Sequence, residues 1–173
     1  DCKIMIDIKR KLKNFGPLEF LVFSSLAYVV IMLIWTASTR SSVLQKANDI
    51  KFNHKSIVEF INNEVNKCSS NEKNLTSWGE NCNSTWESSN IVKYILDNFK
   101  LNNPYNIDKP LIQTSQDPRI QAEGKAGQST DKGIIFVSEN NFESEAGSEW
   151  IIGTCIKSPC VAAGNNELVS VYR

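Results

Sequence analysis

The chain has 173 residues, 41% hydrophobic and 22% charged, with 19 cations set against 19 anions. That length suits one domain plus an appendage rather than two full domains, and the composition is that of a folded protein. No basic stripe is present, so no specific nucleic-acid partner is expected.

The neutral total hides a lopsided distribution. Residues 1–14 hold five cations and two anions, which leaves 14 cations and 17 anions for residues 15–173. Four of those cations, Lys9, Arg10, Lys11 and Lys13, stand directly before "FGPLEFLVFSSLAYVVIMLIWTA", residues 15–37. From Leu18 to Ala37 there is one charge, Glu19, and neither Gly nor Pro. Twenty helical residues span about 30 Å, the thickness of a hydrocarbon core. Cations upstream place the N-terminal side of such a segment in the cytoplasm and the remainder outside.

The helix is not expected to stop at the membrane. No Gly or Pro occurs between Pro17 and Gly79. Apolar residues recur at Val43, Ala47, Ile50, Ile57, Ile61, Val65 and Cys68, mostly three, four or seven apart, the spacing of one helical face. One helix from about Pro17 to about Cys68 would be about 75 Å long. Pro17 suits a first turn.

Cysteines divide along the same line. Cys2 precedes the apolar run; Cys68, Cys82, Cys155 and Cys160 follow it. An even set on the outer side of a membrane segment points to disulfides. Local pairing, Cys68–Cys82 and Cys155–Cys160, is the simplest of three connectivities, and four reduced, buried thiols are the alternative. No CxxC occurs and the single histidine, His54, lies far from either pair, so no metal site is expected.

Residues 69–85, "SSNEKNLTSWGENCNST", read as a polar loop that Cys68–Cys82 would close. Its sequons at Asn74 and Asn83 are what an Asn/Ser-rich loop yields by chance. "STWESSNIVKYILDNFK" reads as a short helix with Ile91, Ile95 and Phe99 inward. Ser84 with Glu87 resembles a capping box, and Ser88 or Ser89 could cap instead. A turn-rich connector, "LNNPYNIDKP", follows.

The last third changes character. Runs rich in branched residues at 110–115, 132–139, 148–158 and 167–173 alternate with turn clusters such as Asp117-Pro118, Asn140-Asn141 and Gly164-Asn165-Asn166. They predict a small antiparallel sheet of about four strands. Its apolar face needs a cover, and the amphipathic helix is the available one. The fold class is therefore α+β: a long N-terminal helix, apolar and then amphipathic, packed on the sheet.

No catalytic motif appears, so the chain is expected to be no enzyme and to need no cofactor. His54 has no acid partner in a recognisable motif and reads as a polar-face or packing residue. The serines lack a GxSxG setting. The acidic stretch 138–149 does not match an EF-hand loop and reads as a solvated turn.

Taken together, a basic leader, "FGPLEFLVF" with Phe15 first and Glu19 fifth, and an apolar helix feeding a disulfide-bounded sheet resemble type IV pilins and pseudopilins. The resemblance implies a leader over residues 1–14, cut between Asn14 and Phe15, with N-methylation of Phe15. Met5 would be the true start and Asp1 to Ile4 upstream read-through. It implies a filament-core helix over 15–39 and a globular head over 40–173. Within the head lie an amphipathic helix (40–68), a connecting loop and short helix (69–109), and a sheet with a Cys155–Cys160 loop (110–173). Two positions depart from the family pattern: Asn14 stands where Gly is usual before the cut, and Thr36 where a proline is common.

The implied function is a structural subunit of an extracellular pilus-like filament, serving adhesion, motility or DNA uptake. The implied partners are the inner membrane before assembly, a prepilin peptidase, and other copies in a helical homopolymer. Glu19 would meet the new ammonium group of Phe15 on a neighbour, because a carboxylate at membrane depth is costly unless paired. Two alternatives are a secretion-system pseudopilin and a monomeric signal-anchored protein with a small exported binding domain.

Overall fold

The computed structural model describes residues 16–70, 72–123, 132–141 and 148–173. They fall into two units, divided between Leu44 and Gln45.

Helix α1 runs Pro17–Ser69, 53 residues. Its first part is apolar on every side from Phe20 to Ala37, and Leu18, Phe20, Leu21, Phe23, Leu26, Ile31, Leu33 and Ile34 are all exposed. It is the one helix among the described residues long and apolar enough to cross a membrane.

From Gln45 onward only one side is apolar. Ile50, Ile57, Ile61, Val65 and Cys68 are buried, as the sequence spacing predicts. The same stripe holds Asn53, His54 and Glu64, also buried. Helix α2 covers Ser88–Asn98 and buries Ile91 and Ile95.

The remaining elements are β1 (Ile112–Thr114), α3 (Pro118–Glu123), β2 (Ile135–Asn141), β3 (Ser148–Cys155) and β4 (Asn166–Tyr172). They build a four-stranded sheet in the order β1-β2-β3-β4. The α+β class and the helix-on-sheet arrangement agree with the expectation. One pairing differs: β1 runs parallel to β2, Ile112 opposite Ile135, while β2–β3 and β3–β4 are antiparallel. Parallel neighbours need a crossover of a dozen or more residues. Helix α3 occupies that connection, in a stretch the sequence reading took for turns.

Alternation along the strands sorts the two sheet faces. Ile135, Val137, Trp150, Ile152 and Val171 share one core with Ile50, Ile57, Ile61 and Val65 of α1. The opposite face takes α3. There a Cβ on Gly153 would lie 2.6 Å from the Pro118 carbonyl oxygen and 3.1 Å from Ala122, so only glycine lets the backbones approach. Gly133, with φ +80°, is held more tightly: a Cβ there would meet Asn103, Tyr105 and Ile50 between 2.6 and 3.1 Å.

Two details of the sequence reading change. The capping box does not form, because the Ser84 hydroxyl donates to Asn81 O and α2 starts at Ser88 with no side-chain cap. Glu80 stands in from the preceding loop, its carboxylate accepting from the Glu87 N–H and, at 2.6 Å, from Asn90 Nδ2. In the acidic stretch 138–149, Ser138–Asn141 and Ser148–Glu149 are strand rather than turn. Glu149 is buried there, 3.4 Å from Arg119 Nη2.

Candidate functional site: the lone carboxylate and the anchors of the head

Pro17 opens α1 and Gly16 precedes it, so Glu19 is the third helical residue. Its Oε2 accepts the Gly16 N–H at 2.8 Å. A Glu at that position reaching back to the amide before the helix is one half of a capping box. A negative charge in the first turn also complements the helix dipole. The carboxylate thus has a partner within its own chain. Asn14 and Phe15, the expected cleavage and methylation positions, lie outside the described residues.

Four serine and threonine hydroxyls of this stretch are satisfied in the same self-contained way. Ser24, Ser25, Thr36 and Thr39 donate to Leu21 O, Val22 O, Leu33 O and Trp35 O at 2.8–3.1 Å. Hydrocarbon supplies no partners, so polar groups that cross it must find theirs internally. The apolar length and these internal bonds are compatible with membrane anchoring.

In the head, both local disulfides form, Cys68–Cys82 and Cys155–Cys160. The first closes a loop that Glu64 and Arg173 also hold down. Glu64 accepts the Ser77 N–H at 2.8 Å and lies 3.6 Å from Lys67 Nζ and 3.7 Å from Lys73 Nζ. Burial pushes the Glu64 carboxyl up, but the Ser77 hydrogen bonds and the two lysines outweigh it and hold it below the ordinary carboxylate value. Arg173 donates to Ser84 O at 2.7 Å and to Cys82 O, and its guanidinium lies 4.1 Å from the centre of the Trp86 ring.

His54 has the acid partner that no motif showed. Its Nδ1 is 3.1 Å from Glu167 Oε2, and Lys51 Nζ is 3.9 Å from the other carboxylate oxygen. Its Nε2 lies 3.2 Å from Ile152 O. A carbonyl only accepts, so Nε2 carries a proton. Burial is the largest influence and holds His54 below its ordinary value, against the pull of the Ile152 carbonyl and Glu167. The arrangement ties α1 to β3 and β4.

A signal for both buried groups was present. His54 fills the seven-residue gap between Ile50 and Ile57, and Glu64 lies between Ile61 and Cys68 on the same stripe. A polar residue on an apolar stripe announces a buried partner without saying which. Compared with known proteins, the chain matches no family model, no curated protein and no solved structure.

Proposed function

We propose that the protein is a structural subunit of an extracellular type IV pilus-like filament, anchored in the membrane through α1 before assembly. The observation that carries the reading is the uncovered apolar half of α1 with one carboxylate in its first turn. Its exposed large side chains run from Leu18 to Trp35, and their burial against identical helices would supply the cohesion. A contact of that kind that does not close on itself builds a helical fibre. Glu19 then sets the axial register by pairing with a neighbour's amine at Phe15, once the leader has been cut after Asn14. The disulfide-braced head forms the outer shell. Adhesion and motility are the uses this architecture serves, and a secretion pseudopilin is a variant of the same assembly.

A specific observation favours a second reading, a monomeric signal-anchored protein. The Gly16 N–H already engages Glu19, and a self-contained cap needs no neighbour. Glu19→Gln separates the two, because the amide keeps an acceptor for Gly16 and loses the charge. Under the filament reading, Glu19→Gln and Glu19→Ala both abolish fibres, seen by electron microscopy of sheared surface material. Fibres at normal yield from Glu19→Gln, or native protein whose N-terminus precedes Phe15 by mass spectrometry, would refute it.

A further inference from the structure

A groove of about 260 Å³ runs along α2, lined by Trp78, Asn90, Lys93, Tyr94, Asp97 and Asn98. We infer that this groove is a saccharide-binding subsite that takes one neutral sugar ring. It belongs to the head alone and does not depend on whether the protein assembles.

Five of the lining residues come from one helical face, at spacings of three and four. Where the opposite face of α2 carries Ile91 and Ile95 into the core, this one carries an aromatic among groups that donate and accept hydrogen bonds. Trp78 adds a second aromatic from the loop that Cys68–Cys82 closes.

The aromatics are supported from behind. Tyr94 stacks on Phe60 with ring centres 5.7 Å apart and planes 7° from parallel. Trp78 meets Phe60 at 6.1 Å and 62°, and Trp86 at 5.0 Å and 85°. Its indole N–H is held by Glu80 at 2.8 Å. Both Trp78 and Tyr94 are partly buried and keep some exposed surface. Rigid aromatic faces at a wet surface are apolar platforms that cost little ordering on binding.

The polar groups are divided between fixed and uncommitted. Asn90 Nδ2 is bound to Glu80, and Asn98 Nδ2 to Tyr94 O at 2.9 Å, which leaves both amide oxygens as acceptors. Lys93 and Asp97 stand four residues apart on α2, yet no ion pair joins them among the described residues. The Tyr94 hydroxyl likewise has no hydrogen bond among those residues.

A ligand for this surface needs an apolar flat side and a rim that both donates and accepts. A sugar ring has that form, with C–H groups on its faces and hydroxyls around its edge. Asp97 beside Lys93 leaves the rim with no net charge, which disfavours phosphate-rich ligands such as nucleic acid or anionic lipid. The volume falls below the roughly 300–1,000 Å³ of drug-sized sites, in keeping with a single ring.

The test uses the full chain in lauryldimethylamine oxide, a detergent without a sugar headgroup. Glucose, galactose and N-acetylglucosamine are titrated separately, with saturation-transfer NMR as the readout. Saturable transfer to the ring C–H protons of at least one sugar is expected. Asp97→Ala and Tyr94→Ala should each weaken that binding at least tenfold, and Tyr94→Phe, which keeps the platform, should weaken it less. Asp97 is exposed, so its variant stays informative if Tyr94→Ala fails to fold. Absence of saturable transfer with all three sugars would overturn the proposal. So would binding unchanged in Asp97→Ala, or tighter binding of oligothymidylate than of any sugar.

Discussion

The two parts of α1 are one helix with opposite relations to their surroundings. Through Leu44 the large apolar side chains are exposed, and hydroxyls such as those of Ser24 and Thr36 bond within the helix. From Gln45 one apolar stripe, Ile50, Ile57, Ile61, Val65 and Cys68, is buried, and the polar residues on it, His54 and Glu64, bond to groups far along the chain. The first part is built for a medium outside the chain, the second for the chain's own sheet. Helicity is common to both; the partner for the apolar surface is what differs.

That contrast breaks most sharply under paired substitutions. Ile57 is fully buried, and Ile57→Ala should lower head stability by about 2–5 kcal/mol, measured by denaturant unfolding in detergent. Membrane insertion should be unaffected. Leu26→Arg should do the reverse, penalising insertion by about 2.5–3.5 kcal/mol in a translocation assay and leaving the head's unfolding midpoint in place. If Leu26→Arg destabilised the head, the two parts would not be independent.

The disulfides sharpen the comparison from the head's side. Their sequence separations are 14 and 5. Cys68→Ser should therefore cost about 3 kcal/mol, and Cys155→Ser about 2 kcal/mol, since the longer loop loses more chain entropy on closure. Equal losses would show that loop length does not govern their contributions.

The buried titrating groups make the comparison depend on pH. Glu64 and His54 both lie below their ordinary values, so at each the folded chain binds fewer protons than the unfolded one. Both contributions to stability are present at neutral pH and are lost on acidification. His54 acts first, below about pH 6.5, and Glu64 below about pH 4.3, each down to its folded-state value. His54→Asn should flatten stability in the upper window, and Glu64→Gln in the lower one. At neutral pH, Glu64→Gln should cost about 1–3 kcal/mol by weakening the bond that holds the Ser77 N–H. A pH profile unchanged in both variants would mean that neither group titrates differently on folding.

The periodicity of residues 43–68 was enough to mark which side of α1 is buried, and short branched runs were enough to place four strands. The parallel entry of β1 was not legible. It depends on α3, six residues whose sequence, beginning Asp117-Pro118, carries the signals of a turn. Nor was the cap of α2, because Glu80 competes successfully with the local Ser84 from outside the expected box.

Local chemistry settled what the sequence could determine unaided: helix, strand and the membrane-length segment. Each depends on neighbours within a few residues, where backbone geometry fixes who meets whom. The tertiary structure alone decided the partners that lie far apart: Glu167 and Ile152 for His54, Ser77 for Glu64, Arg173 across Trp86. A buried polar group declares only that it needs a partner. Which group answers depends on how strands 98 residues further along are laid against the helix, and periodicity holds no record of that.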